Sequence, residues 1–182
     1  EQLKRALEDL ESYNRILHLQ SLCDELTGLY NRRGFITLAN ERIARLKGPN
    51  SGCLIFYADL DGLKQINDTY GHAEGDFTLT KAAELLTQAF KSTDIIGRIG
   101  GDEFTVLVIG AAERDKNYIW NQVKLLYDNF NKTSGKPYNI SISAGCVYFK
   151  SNVGFNLDEL LRSADLELYI EKQRKKSVHK KK

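Results

Sequence analysis

Several features that would mark particular protein classes are scarce in this chain of 182 residues. It has only two prolines, which excludes a Pro-rich linker, and no apolar run reaches the roughly 18 residues that a membrane span requires. Its three cysteines, Cys23, Cys53 and Cys146, cannot all pair with one another and show no zinc-binding spacing. We therefore expect a cytoplasmic domain in a reducing environment, with no contact between this part of the chain and a membrane.

A strong charge of one sign is also missing, since the formal net charge is only +2. Residues 171–182 contain seven Lys or Arg and one Glu, which leaves the other 170 residues with a net charge of −4. A nucleic-acid-binding domain carries positive charge over one face, so we expect no nucleic-acid partner. The uneven distribution predicts a solvated basic tail over residues 177–182.

The N-terminal segment has a heptad pattern. Four leucines recur at alternating spacings of four and three, with Asn14 at the remaining seam position: Leu3, Leu7, Leu10 and Leu17. The pattern predicts a helical, coiled-coil-like linker over residues 1–22 that forms a parallel dimer. A single amphipathic helix that packs on its own domain is the alternative. Because the chain begins without Met, we expect it to be a piece of a longer protein.

The rest of the chain has the patterns of one mixed helix and strand domain. Strands are predicted at residues 53–58, 95–99, 104–109 and 140–149, the middle two forming a hairpin. Helices are predicted at residues 33–47, 76–90, 114–131 and 157–174. A further helix follows the first strand and ends near residue 70, before a break at 71–75. The first strand is an unbroken apolar run, which is typical of a central strand covered on both faces. The fold class predicted is α/β, an α+β sandwich with a mostly antiparallel sheet flanked by helices.

Two acidic pairs stand at predicted strand ends. Asp59 and Asp61 follow the central strand, and Asp102 and Glu103 lie at the tip of the hairpin. If the hairpin pairs with the central strand, these carboxylates meet at one end of the sheet and repel one another unless a cation lies between them. Oxygen ligands without His or Cys favour Mg²⁺, and Mg²⁺ held by carboxylates favours a phosphate substrate. The alternative for either pair alone is a role in turns or helix caps.

Two glycines, Gly100 and Gly101, precede the second acidic pair. Glycines allow the backbone to approach a ligand closely and to adopt positive φ, and their N–H groups can hold anionic or polar ligand atoms. We therefore include both among the candidate substrate-binding residues. An ordinary two-glycine turn is the alternative.

These residues belong to an ordered series of motifs that resembles the GGDEF domain family, the diguanylate cyclases. The series is DELTGLYNRR at 24–33, DLDGLKQIND at 59–68, GHAEGD at 71–76, GGDEF at 100–104 and SAG at 143–145. It closes with Ala164, Asp165, Tyr169 and Lys172, which match the last helical motif of the family. The resemblance covers residues 23–176 and implies the family's palm-like nucleotidyl cyclase fold.

The resemblance implies a bacterial signalling enzyme that condenses two GTP molecules into cyclic di-GMP and releases pyrophosphate. Each domain would hold one GTP, so the active form would be a homodimer of facing half-sites, gated by an upstream sensory domain. The full-length protein would be either free in the cytoplasm or tethered to the inner membrane. The metal, Mg²⁺ or alternatively Mn²⁺, would be bound by Asp59, Asp102, Glu103 and the backbone carbonyl of Leu60. Asp102 or Glu103 would accept the proton of the attacking hydroxyl.

The resemblance also assigns the substrate contacts. Asn67 and Asp76 would read guanine, and the carboxylate of Asp76 suits the paired N1–H and N2–H₂ donors that adenine lacks. His72 would lie near the same pocket, although a loop residue that caps a helix is an equal alternative. Basic side chains would contact the phosphates: Lys64, Lys172 and, in place of the family's arginine, Lys176.

The chain departs from the family pattern in two places. Many members have Arg-x-x-Asp upstream of the signature as an inhibitory site for product, whereas this chain has Lys91 and Asp94. Lys lacks the planar fork of Arg, so we predict a degenerate site with weak or absent product inhibition. After Lys172, the family's Gly-Arg is replaced by Lys175 and Lys176. The alternative function is a catalytically weak module that binds GTP or cyclic di-GMP and signals by contact.

Overall fold

The structure is a computed structural model that describes Arg5 and residues 22–46, 51–150 and 156–179, the side chains of 176, 178 and 179 excepted. The predicted linker at residues 1–22 therefore lies outside the described residues apart from Arg5 and Leu22. Residues 180–182 of the predicted basic tail also lie outside them. No helix within the described ranges is long and apolar enough to cross a membrane.

The described part of the chain folds into five α-helices and four strands, in the predicted order. The helices are α1 Arg32–Ala44, α2 Leu63–Tyr70, α3 His72–Ala89, α4 Lys116–Thr133 and α5 Leu157–His179. The strands are β1 Gly52–Asp61, β2 Ile95–Arg98, β3 Glu103–Ile109 and β4 Ser141–Lys150. A short 3-10 helix, Glu113–Asp115, leads into α4.

The strand predicted to be central, β1, lies in the middle of an antiparallel sheet with the order β2-β3-β1-β4. Alternate side chains of a strand point to opposite faces. Leu54 and Phe56 pack in a core with α3 and α4, whereas Cys53 and Ile55 pack in a second core with α1 and α5. The prediction of a mostly antiparallel sheet flanked by helices is therefore confirmed.

The alternation of β1 decides on which face its acidic residues lie. Asp59 and Asp61 continue the series of Tyr57 at two-residue intervals, so they lie on the face of the sheet that α5 covers. Among the described side chains of α5, Leu168 is the last in the core on that face. The turns of α5 that follow Leu168 therefore reach the acidic end of β1.

The helix boundaries differ from the prediction most at two places. We predicted a break over residues 71–75, but only Gly71, with φ of 90°, separates the helices, and α3 begins at His72. Gly75 lies inside α3, where a Cβ would overlap the side-chain amide of Asn67. The second difference is at the C-terminus, where α5 continues to His179, so residues 177–179 have helical backbone where a tail was predicted.

Candidate functional site

The sheet brings the two predicted acidic pairs to one end. Asp59 of β1 lies directly opposite Glu103, the first residue of β3. The backbone N–H of the next residue, Leu60, donates to the carbonyl oxygen of Asp102 at 2.9 Å. The hairpin therefore pairs with the central strand as the sequence argument requires, and the carboxylates of Asp59 and Asp102 are near enough to interact electrostatically.

Asp59 has the electrostatics of a carboxylate beside another carboxylate. Burial raises its pKa above the ordinary value, the hydrogen bond from Lys172 lowers it in part, and the charge of Asp102 raises it again. The ammonium of Lys172 lies 2.5 Å from Asp59 Oδ1. A half-buried carboxylate with an acidic neighbour is stabilised by a cation at its side. In this structure the ammonium of Lys172 supplies that positive charge.

Asp61 lies on the same face of β1 but has a different set of partners. Ser143 Oγ donates to its two carboxylate oxygens at 2.8 and 2.9 Å, and Ser141 Oγ donates at 3.1 Å. Lys175 Nζ lies 3.4 Å from Asp61 Oδ2. The carboxylate of Asp61 is therefore neutralised and hydrogen-bonded within the protein itself, whereas Asp59 has Lys172 as its cationic partner and Asp102 as a negative neighbour.

Glu103 is held by two contacts within the sheet. The hydroxyl of Tyr57 donates to Glu103 Oε1 at 3.1 Å, and burial together with the charge of Glu103 raises the pKa of Tyr57. Tyr57 therefore stays protonated and keeps this hydrogen bond. A Cβ at Gly100 would overlap the Glu103 carboxylate, whereas a Cβ at Gly101 would meet nothing within 4 Å. Neither glycine has a positive φ, and the missing side chain of Gly100 leaves room for the carboxylate of Glu103.

Arg98 fastens the hairpin to the turn at the start of the domain. Its Nη1 donates to both carboxylate oxygens of Asp24, at 3.0 and 3.2 Å. Its Nε and Nη2 donate to the carbonyl oxygen of Gly101 at 3.0 and 2.8 Å. All three guanidinium nitrogens are therefore engaged, and one side chain fixes the segment that carries Asp102 relative to Asp24.

The predicted substrate-binding residues of α2 and α3 lie beside this end of the sheet, because α2 begins two residues after β1 ends. Lys64 and Asn67 lie on α2, and His72 and Asp76 lie in the first turns of α3. Asn67 is half-buried and the other three are exposed. His72 is not a capping residue, because the N-cap of α3 is Gly71. The two helices meet where Gly75 faces the amide of Asn67.

The described contacts do not place two groups of predicted residues at this site: Lys176 is one, and the pair of Lys91 and Asp94 is the other. The side chain of Lys176 lies outside the described residues. Asp94 accepts hydrogen bonds from the backbone N–H groups of Lys91 at 2.9 Å and Ile109 at 3.2 Å. Ile109 is the last residue of β3 and Glu103 is the first. Lys91 and Asp94 therefore lie at the opposite end of the sheet from the two acidic pairs.

The acidic residues suit a magnesium ion that is shared with a substrate. Among the described residues, no three His, Cys, Asp or Glu side chains converge as a metal cage. Mg²⁺ usually takes only one or two carboxylates from a protein and completes its coordination with phosphate oxygens and water. Asp59, whose pKa is raised first by burial and further by the charge of Asp102, fits that kind of site together with Asp102.

Three residues that shape the site were not assigned to it from the sequence: Tyr57, Arg98 and Lys175. Tyr57 reads as one more apolar residue of the central strand. Arg98 is two residues before Gly100, and a charged residue so close to a functional hairpin was the available signal. The signal for Lys175 is its position three residues after Lys172, which places both ammonium groups on one side of α5.

The fold is an α+β domain with an antiparallel four-stranded sheet flanked by helices, and comparison with known proteins identifies the family. The family model "Diguanylate cyclase, GGDEF domain" matches residues 21–178. The chain therefore belongs to the GGDEF domain family. It is 30% identical over 158 residues to the probable diguanylate cyclase DgcJ of Escherichia coli K12, covering 87% of this chain and 31% of that protein. It is 30% identical over 178 residues to the diguanylate cyclase DgcP of the same strain, covering 97% and 52%.

Solved structures share this fold. The coiled coil and GGDEF domain of DgcB from Caulobacter crescentus, in complex with c-di-GMP, superposes with a TM-score of 0.80 at 21% identity over 94% of this chain and 91% of that one. Diguanylate cyclase SiaD from Pseudomonas aeruginosa, in complex with its activator SiaC, gives a TM-score of 0.77 at 26% identity, covering 94% and 65%. The chain spans about a third of the length of DgcJ and about half of the length of DgcP.

Proposed function

We propose that this chain is an active diguanylate cyclase, which condenses two GTP molecules into cyclic di-GMP with release of pyrophosphate. The observation that carries the proposal is the meeting of Asp59, Asp102 and Lys172 at one end of the sheet, beside the helices that carry Asn67 and Asp76. Asp59 is partly buried near the negative charge of Asp102, an arrangement that a cation bound together with a polyanionic ligand would stabilise. The family membership supports the same reaction.

In this proposal the chain's own residues bind, orient and move a proton. The 3′-hydroxyl of one GTP forms a bond to the α-phosphate of the other, the bond to pyrophosphate breaks, and the step is repeated with the roles exchanged. Asp102 or Glu103 accepts the hydroxyl proton, and Lys64 and Lys172 hold phosphate oxygens as point charges. Asp59, Asp102, Glu103 and the carbonyl of Leu60 would hold Mg²⁺, or Mn²⁺, which would neutralise developing charge when bound.

Guanine selection is proposed for Asn67 and Asp76. Asp76 lies exposed in the first turns of α3, where its carboxylate can accept the N1–H and N2–H₂ donors of guanine. Adenine has no such pair, and a carboxylate left without its partners on closure of the pocket is costly. We therefore expect strong discrimination between GTP and ATP.

Gly75→Ala is expected to weaken GTP binding by roughly tenfold while leaving the fold intact. The added Cβ overlaps the amide of Asn67, and because the overlap is with the end of a side chain, Asn67 moves rather than the backbone. Alanine also favours the helix by up to about 1 kcal/mol relative to glycine. Calorimetry with GTP and thermal unfolding measure the two effects. Gln88→Ala, an exposed change on the same helix, serves as the control, and an unchanged GTP affinity in Gly75→Ala contradicts the assignment of Asn67.

The proposed function is tested by incubating the purified chain with GTP and Mg²⁺ and measuring cyclic di-GMP and pyrophosphate. Product is expected from GTP and none from ATP. If no product forms, calorimetry with GTP distinguishes a binding module from a purely structural one. Omission of the divalent cation, with Mn²⁺ as a second addition, tests the metal requirement.

A homodimer follows from the proposed reaction, since each domain binds one of the two GTP molecules. The predicted linker would bring two half-sites together, and an upstream sensory domain would act through it. Specific activity that rises with protein concentration supports the dimer. Specific activity that stays constant on dilution of a chain lacking residues 1–22 counts against a role for the linker.

Inhibition by cyclic di-GMP is expected to be weak or absent. Lys91 replaces the arginine of the family's inhibitory motif, and both carboxylate oxygens of Asp94 already accept backbone N–H groups. Lys91→Arg is expected to strengthen inhibition, because its planar fork can bind a phosphate or guanine edge with two hydrogen bonds. Initial rates at increasing cyclic di-GMP measure the effect, and an inhibition constant in the low micromolar range for the unchanged chain contradicts the prediction.

A further inference from the structure

The last turns of α5 are held on the sheet by charged side chains. Leu168 is the last residue of α5 in the core, and residues 171–177 contribute no buried side chain among those described. In this stretch Lys172 pairs with Asp59, and Lys175 pairs with Asp61. Two ion pairs therefore connect this end of α5 to the acidic end of β1.

The second pair is part of a small network. Lys175 Nζ donates to Ser143 Oγ at 2.6 Å, and Ser143 Oγ donates in turn to Asp61. Ser143 is buried on β4, so it cannot move toward or away from the helix without disturbing the sheet. Lys175 is therefore connected to both β1 and β4.

Substrate binding would affect the ion pair of Lys172 with Asp59 differently from that of Lys175 with Asp61. Lys172 pairs with Asp59, a proposed metal ligand, so Lys172 must give up this contact if it is to hold a phosphate while a cation lies at Asp59. Asp61 is outside the proposed metal ligands and is satisfied by two serines and Lys175. The contact of Lys175 can persist when that of Lys172 is exchanged.

We propose that Lys175 is a positioning residue for Lys172: its contacts with Ser143 and Asp61 hold the end of α5 in place while Lys172 exchanges Asp59 for a phosphate. The proposal rests on the function proposed above. The same contacts keep Asp61 neutralised, which leaves Asp59 as the carboxylate of β1 that faces the ligand. Lysine stands at this position where the family has glycine, so the device belongs to this chain and is not carried over from the family motif.

Lys175→Met tests the proposal in two measurements. Backbone hydrogen exchange in the absence of nucleotide is expected to become faster in residues 171–177. The affinity for a GTP analogue with a methylene group between the α- and β-phosphates, measured by calorimetry with Mg²⁺, is expected to fall by roughly tenfold. Lys175→Arg retains the charge and the donors and is expected to restore both properties in large part. Lys124→Ala, an exposed lysine of α4, is the control.

A charge-balanced variant separates positioning from a change of net charge. Asp61→Asn combined with Lys175→Met has the net charge of the unchanged chain but lacks the ion pair. The proposal predicts that this double variant also exchanges faster and binds the analogue more weakly. Unchanged exchange in Lys175→Met, or full affinity in the double variant, overturns it. If the unchanged chain binds no analogue, the proposed function fails, while the exchange measurement still decides whether Lys175 holds the helix.

Discussion

Asp102→Asn is expected to lower the rate of cyclic di-GMP formation by roughly 100- to 1,000-fold, the usual cost of removing one preorganised electrostatic contact with a transition state. Asparagine has nearly the same shape as aspartate, and the contact of Asp102 within the sheet uses its backbone carbonyl, which accepts from Leu60 at 2.9 Å. Only the carboxylate charge is lost. The variant therefore removes a proposed metal ligand and proton acceptor without removing a structural contact.

Three measurements define the result for Asp102→Asn. Cyclic di-GMP is quantified by chromatography at saturating GTP and Mg²⁺, thermal unfolding reports on the fold, and Asp128→Asn, an exposed aspartate on α4, controls for the chemical change itself. The pKa of Asp59 is also expected to move down, because the charge of Asp102 helps to raise it. A variant that keeps a tenth or more of the turnover shows that Asp102 is not part of the reacting site.

Arg98→Ala is expected to cost about 2 kcal/mol of folding stability, since it removes charge-assisted hydrogen bonds to a carboxylate that is only partly exposed. Arg98 and Asp24 are 14% and 24% exposed, so water compensates for only part of the loss. Turnover is expected to fall by roughly tenfold or more, because the hairpin that carries Asp102 loses its contact at Gly101 and small displacements of reacting groups are costly.

The controls for Arg98→Ala separate stability from positioning. Arg98→Lys keeps the charge but lacks the planar fork, so it is expected to recover part of the stability and less of the turnover. Arg162→Ala, an exposed arginine on α5, is the matched change at a neutral position. Urea unfolding gives the stability, and initial rates well below the unfolding temperature give the turnover. Full turnover in Arg98→Ala contradicts a role for Arg98 in holding the hairpin.

The stability that is lost in Arg98→Ala is expected to depend on pH, and the direction of that dependence follows from the pKa of Asp24. Burial by itself raises the pKa of Asp24, but the hydrogen bonds from Thr27 and Arg98 outweigh it, so the pKa in the folded state lies below its ordinary value. Such a carboxyl adds stability above its unfolded pKa of about 3.9, and that stability is lost as the pH falls through the folded pKa. The difference in unfolding free energy between the unchanged chain and Arg98→Ala is therefore expected to shrink below about pH 4.

Local patterns in the sequence were sufficient to predict the central strand and the meeting of the two acidic pairs at one end of the sheet. The unbroken apolar run at residues 53–58 identified a strand buried on both faces, because covering both faces of a strand requires that neither carry polar groups. The acidic pairs were placed together because adjacent antiparallel strands bring a strand end and a hairpin to one edge. The pairing of Asp59 with Glu103 agrees with that argument.

Glycine was harder to interpret. Gly71 and Gly75 looked alike in the sequence, yet one has φ of 90° between two helices and the other lies within a helix against Asn67. Gly100 was expected to provide backbone freedom and instead makes room for the carboxylate of Glu103. A missing side chain indicates that space or conformation is needed, but only the surrounding structure shows which of the two it is.

The order of motifs in the sequence by itself determined the family and the chemical groups available: acidic residues at two strand ends, lysines on two helices, and Lys91 at the position of the motif arginine. Only the tertiary structure decided which charges are partners. Asp61 and Lys175 are 114 positions apart and Asp24 and Arg98 are 74 apart, among 24 acidic and 26 basic side chains. Hydrogen bonds form only at contact distance and in the right geometry. Two side chains that are distant in the sequence therefore interact only when the fold brings them together.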